Sequence, residues 1–304
     1  MEPNTANRSK TPLNTVNRII TDMAVERIPR KHAGITVRED TVNGFQIHRL
    51  SVNVTDEALP ERGQYITVTV GKPWLESGER ISEATQTIAN LITELSAAVL
   101  GEKKPRSALM ICLGNRKITA DAIGPLCADT VVATRHLERE RPEIWRNLGE
   151  FSLSVLATGV SGSTGLEAFE LTQAAVKTAK PQLVITLDAL SARDTARLGT
   201  TVQLTDTGIT PGSGIGNSRM TINGDTLGIP VISIGVPTVA HSATLISDAL
   251  EKSRLNATEE NIEKALSVGG DLFVTLRDCD VAVSSMARII SSAVNLAFLG
   301  FEQL

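Results

Sequence analysis

The sequence has too few cysteines, apolar runs that are too short and charge that is too evenly balanced for several broad classes of protein. Its three cysteines, Cys112, Cys127 and Cys279, are scattered and form no CxxC pair. Neither a disulfide framework nor a thiolate zinc site is therefore expected, and a reduced, intracellular protein is. No stretch reaches the ~18 continuous apolar residues that cross a bilayer. The polar start, MEPNTANRSKTPLNTVNRII, lacks the apolar middle of a secretory signal. Net charge is only −4 and no long basic run occurs, which gives no reason to expect a nucleic-acid surface. What remains is a chain of 304 residues, 41% hydrophobic and 21% charged, long enough to bury one full-sized core.

Several catalytic signatures are missing as well. There is no GxxxxGK[ST] phosphate loop and no GxSxG nucleophile elbow. PGSGIGN (211–217) follows a mid-chain strand and does not open a helix in a first βαβ unit, so it is a poor dinucleotide site. TDTG (205–208) spells the motif of pepsin-like proteases, but those folds are all-β and need two copies, whereas this chain has one. The four histidines, His32, His48, His136 and His241, do not have metal-ligand spacing. No cofactor and no metal are expected.

Hydropathy alternation marks 45–54 and 65–70 as an antiparallel strand pair, within a small N-terminal β addition over 40–75. A helical stripe follows, Ile81, Ala84, Ile88, Leu91, Leu95 and Val99, which reads as a core face. From Ser107 onward short apolar strands alternate with helices. Strands are predicted near 107–113, 152–157, 183–187, 200–204, 229–234 and 271–276, and helices over 121–137, 165–179, 238–253, 258–267 and 278–298. This order predicts an α/β fold, a three-layer α/β/α sandwich with a mostly parallel central sheet.

In such sheets ligands bind beyond the carboxyl ends of the strands. Two acids stand there. Asp121 follows the strand ALMICL by a short loop, and Asp188 ends the greasy run LVITL. Facing carboxylates cannot both ionise cheaply, so one keeps a proton while the other activates water. Acids at strand ends also cap helices, and the pattern by itself leaves both readings open. Asn115, Asp206, Asn217 and His241 lie in the loops assigned to the same rim.

Longer motifs narrow the choice. TDMAVE (21–26), LGNRKITADAIGP (113–125), ATRHL (133–137), GVSGSTGLE (159–167), ITLDALSAR (185–193), QLTDTGITPGSGIGN (203–217) and LGIPVISIGVPTV (227–239) occur in one order. Together they resemble the germination protease family of spore-forming Firmicutes, and the resemblance resumes in LFVTLRDCDVAV and NLAFLG near the C-terminus. It implies a fold like the hydrogenase-maturation peptidases and an atypical aspartic-type endopeptidase with Asp121 and Asp188 as its catalytic pair. Its substrates would be small acid-soluble spore proteins that coat DNA, cut in the cytoplasm of the forespore or spore core.

The resemblance further implies a zymogen that trims itself. DMAVE matches the acid, apolar, Ala, any residue, Glu pattern, placing scission between Asp22 and Met23. The chain then divides into a cleavable pro-segment, 1–22, and a single peptidase domain, 23–304. Homo-oligomers, tetramers in the family, are expected. Departures are Thr158 and Leu276 where the family has proline, and only about twenty residues where longer members carry a large insertion before the last strand. The competing readings are a maturation-type peptidase using a metal near His241, and a non-catalytic binding module.

Overall fold

The computed structural model describes residues 21–28, 33–55, 61–101, 103–212, 219–253 and 272–301. Among them, nine strands form one sheet: β1 (Ile35–Val42), β2 (Phe45–Val52), β3 (Gly63–Thr69), β4 (Ser107–Leu113), β5 (Ser152–Gly159), β6 (Leu183–Ser191), β7 (Thr201–Thr205), β8 (Val231–His241) and β9 (Phe273–Thr275). Their order is β1-β2-β3-β7-β8-β6-β4-β5, with β9 on the end of β8. The α/β expectation holds, and the sheet is mixed. β8, β6, β4 and β5 run parallel, whereas β1, β2, β3 and β7 form an antiparallel block joined to β8 by an antiparallel pairing. The N-terminal β addition is thus not a separate layer but an extension of the central sheet, and it begins at Ile35.

β6 is covered on both faces, which explains its unbroken apolar run. Leu183, Ile185 and Leu187 face a core shared with Met110, Cys112, Ile232 and Ile234. Helices Gly78–Val99 and Cys279–Leu299 close that side, contributing Ile88, Ile92, Met286 and Ile290. On the other face Val184 packs with Leu109, Ile111 and Val231, against Ala168, Phe169 and Val176 of helix Ala168–Ala179. Ser77 starts the Gly78–Val99 helix by accepting the Arg80 N–H at 3.3 Å. Each buried Ile or Leu of these clusters is worth about 1.5–3 kcal/mol of transfer free energy. Cys279–Leu299 is long and apolar enough to cross a membrane by composition, yet 61% of its most apolar window is buried here as a core helix.

Three segments depart from the sequence reading. The helix expected over 121–137 breaks into a 3-10 turn at Thr119–Asp121, a helix at Ile123–Ala128 and a later one at Leu137–Glu140. Tertiary partners take the backbone between them: Asn295 Oδ1 accepts from Val132 N at 3.0 Å, and Thr134 N donates to Leu153 O at 2.9 Å. β6 does not stop before Asp188 but continues to Ser191, because β8 runs alongside it. β8 in turn reaches His241, so the following helix starts at Ser242 instead of 238. The helix expected at 258–267 lies outside the described residues.

Candidate active site

Asp188 sits near the carboxyl end of β6, opposite Gly235 of β8, and is 8% exposed. Its side chain points to the face of Val184 and Thr186, by the two-residue period of a strand. Its Oδ1 accepts the N–H of Ala189 at 2.9 Å. Burial pushes its carboxyl well above the ordinary range; the charges of Asp121 and Asp22 push it further, while the Ala189 N–H and Arg219 oppose.

Asp121 is brought to the same place by the loop after β4. Asn115 N donates to both the Asp121 carbonyl and its Oδ2, each at 2.9 Å, which folds residues 115–121 into a closed turn. That turn needs two glycines. Gly114 has φ +113°, and a Cβ there would lie 2.1 Å from the Asp121 carbonyl oxygen. A Cβ on Gly124 would lie 2.0 Å from the Leu113 carbonyl oxygen. Half-burial raises the Asp121 carboxyl as well, opposed by the Asn115 N–H and by Arg219. Asp188 thus comes from the end of β6 and Asp121 from the loop after β4, close enough for the Asp121 charge to raise the Asp188 carboxyl, with one cation favouring the ionised form of both. Arg219 Nε is also 3.5 Å from Glu167 Oε2.

Residues 21–26 lie along this rim. Beyond Leu187 β6 no longer pairs with β4, and Ser191 takes Asp22 instead. Asp22 N donates to Ser191 O at 2.9 Å, and Ser191 N donates to Asp22 Oδ2 at 2.8 Å. Met23 is fully buried among Leu190, Ala192, Leu198 and Ala240, and Ala24 packs with Leu50, Val52 and Tyr65. Glu26 is gripped by backbone, its carboxylate accepting from Arg193 N at 2.7 Å and from Asp194 N at 3.0 Å. Arg197 Nε lies 3.1 Å from Glu26 Oε1, near enough for an ion pair although off the line of a hydrogen bond.

The family described as germination protease (Peptidase A25) matches residues 17–254. A germination protease of Caldanaerobacter subterraneus subsp. tengcongensis is 34% identical over 92% of this chain and 94% of its own length. One from Clostridium perfringens strain 13 is 33% identical over 91% and 94%. The chain belongs to the germination protease family. It is accordingly an endopeptidase. The germination protease of Bacillus subtilis strain 168 is 36% identical over 77% of this chain but only 66% of its own length, so the chain is short beside that relative and not beside the first two. Among solved structures, a [NiFe] hydrogenase maturation protease, HycI from Thermococcus kodakarensis, aligns with TM-score 0.36 and 15% identity over 67% of this chain and 98% of its own. That likeness carries no argument; the sheet order does.

Within this germination protease the other expected rim residues separate. Asn115 supports Asp121 through its N–H and closes its own turn by accepting Lys117 N at 3.0 Å. Asp206 does not join the pair. β7 runs antiparallel to β8, so the segment after it leaves from the opposite end of the sheet, and Asp206 Oδ1 accepts Gln64 N at 2.7 Å beside Gly63. His241 lies six residues beyond Gly235 on β8, roughly 20 Å at ~3.3 Å per residue. Its Nδ1 accepts Ala243 N at 3.2 Å and its ring meets the Phe273 edge. Asn217 lies outside the described residues. Among the described residues no group of three metal-ligating side chains assembles. Arg219 and Gln203 were not expected at the rim; a lone arginine after a glycine-rich loop and a glutamine inside a strand carry no local signal.

Proposed function

We propose that this germination protease degrades small acid-soluble, DNA-coating spore proteins during germination. We further propose that it is made as a zymogen that removes its own residues 1–22. The observation that carries this reading is the docking of TDMAVE: the bond at which the motif places scission, Asp22–Met23, lies on the rim where Asp121 and Asp188 meet. The acid, apolar, Ala and Glu positions of the motif each have a counterpart among the residues they touch. A substrate with the same pattern would use the same contacts. The work would take place in the cytoplasm of the forespore or spore core, by a homo-oligomer, a tetramer by resemblance, with no cofactor.

Chemically, the pair needs one proton between two carboxyls. Asp188 is the more deeply buried and its carboxyl the more strongly raised, so it holds the proton. Asp121, closer to solvent, is the carboxylate that takes a proton from water. The water oxygen adds to the Asp22 carbonyl carbon; the protonated partner then donates to the Met23 nitrogen as the C–N bond breaks. One proton is taken up by Asp121 and one given back by Asp188, so the pair again holds a single proton, and its passage from Asp121 to Asp188 restores the starting state.

The test uses the intact chain beside Asp121→Asn and Asp188→Asn, each mixed with a small acid-soluble spore protein. Fragments are read by mass and folding by circular dichroism. Trimming at Asp22–Met23 and substrate cleavage in the unsubstituted chain, and neither in the folded variants, is the expected result. Full activity in either variant would refute the carboxylate pair.

A further inference from the structure

Gln203 of β7 has a place at this rim that its burial alone does not explain. It is 6% exposed, and the inward residues on either side of it, Val202 and Leu204, belong to the opposite core. Its side chain therefore stands on the Asp188 face. Gln203 and Asp188 are both registered on Gly235, one from each side of β8, so the three lie in a row across the sheet. Gly235 supplies no side chain between them, and a Cβ there would lie 2.3 Å from Leu190 Cδ1.

The amide of Gln203 spans the 22–24 backbone. Its Oε1 accepts Ala24 N at 2.7 Å, and its Nε2 donates to the Asp22 carbonyl oxygen at 3.2 Å. Chemistry fixes this orientation: a backbone N–H can only donate, so Oε1 must face it, which leaves the NH₂ facing the carbonyl. The carbonyl so held is the one that water attacks if Asp22–Met23 is cut.

We propose that Gln203 is a catalytic residue, the donor that polarises the scissile carbonyl and stabilises the oxyanion as water adds. This rests on the cleavage reading above. As the C–O bond to water forms, the carbonyl π pair moves onto oxygen, and the Nε2–H of the buried, prepositioned Gln203 faces that charge. The pair returns when the C–N bond breaks, with the Met23 nitrogen taking its proton from the carboxyl pair. Gln203 neither gains nor loses a proton. Its Oε1 holds the chain two residues downstream, so the carbonyl is presented in one orientation.

Gln203→Glu separates these two tasks. It keeps the size and the acceptor for Ala24 N–H but loses the donor; Gln203→Met loses both. Each full chain, checked by thermal melting, is assayed on its own trimming and on a peptide containing TDMAVE with either an oxygen or a sulfur at the aspartyl carbonyl. Sulfur accepts hydrogen bonds poorly. The unsubstituted protein is expected to prefer oxygen strongly. Both variants should cut the oxygen peptide about 10²-fold more slowly in kcat and lose most of that preference. Gln203→Glu should regain activity relative to the unsubstituted protein as pH falls, when its carboxyl can donate. An unchanged oxygen-to-sulfur ratio in either folded variant would overturn the proposal while leaving the protease reading intact. Absence of cleavage by the unsubstituted chain would overturn that reading first.

Discussion

The parallel and antiparallel halves of the one sheet do different work. In the parallel block, β8-β6-β4-β5, the end of β6 and the loop after β4 place Asp188 and Asp121 within electrostatic reach of each other. The antiparallel block, β1-β2-β3-β7, brings no acid to the rim among the described residues; it supplies the surface for Ala24 and the Gln203 amide that clamps the 22–24 backbone. In the proposed reading the parallel half carries the carboxyl pair, and both halves hold the chain to be cut: β6 and the segment after it tie Asp22 and Glu26, and β7 adds Gln203. Two acids of similar setting show the difference. Asp188 on β6 reaches the site, whereas Asp206, just after β7, is turned away by the reversed strand and ties down Gln64.

The comparison breaks hardest at the carboxylates. Asp121→Asn or Asp188→Asn should cost at least about 10³-fold in kcat, read by peptide cleavage. Asp188→Asn should also raise stability near pH 7. The folded Asp188 carboxyl is held well above 3.8, so its protonated form stabilises the fold fully below that value. This contribution is lost as pH rises through the raised value. Melting curves of the variant and the parent should therefore diverge toward neutral pH and converge below the ordinary carboxylate range.

Gly114→Ala probes whether the Asp121 loop can form at all. With φ +113° and a carbonyl oxygen 2.1 Å from the new Cβ, it should lose about 2 kcal/mol or more and most of its activity, seen together in melting and cleavage. Glu26→Gln and Arg197→Gln test the hold exerted by the segment after β6: each weakens a charged contact and should slow trimming by about 10-fold or more, followed by intact mass. The smallest effect belongs to Asp206→Asn, expected within about 3-fold of parental activity at a stability cost of about 1 kcal/mol. A large activity loss there would return Asp206 to the site.

Much of the parallel half was legible because its strands are continuous apolar runs and its glycines and acids fall in fixed order after them. β1 was not, since ITVREDTV is nearly all exposed and has no core face to read. Its sign is the turn at Asn43-Gly44, both at positive φ, a two-residue hairpin loop that pairs it with β2. The broken helix after Asp121 was hidden for another reason: its backbone bonds go to Leu153 and Asn295, far along the chain. Asp206 was placed at the rim on the assumption of parallel strands, and strand direction is not written in hydropathy; His241 was placed there because its strand was read to end at 234, whereas β8 runs on to His241.

The sequence by itself determined the family, the α/β class, the buried strands, the two acids and the DMAVE motif, because these depend on local pattern and ordered motifs. Only the tertiary structure decided which acids meet, that β7 is reversed and that Gln203 and Arg219 reach the site. Those follow from pairing between distant segments, where register and direction are set by packing and not by any single stretch of residues.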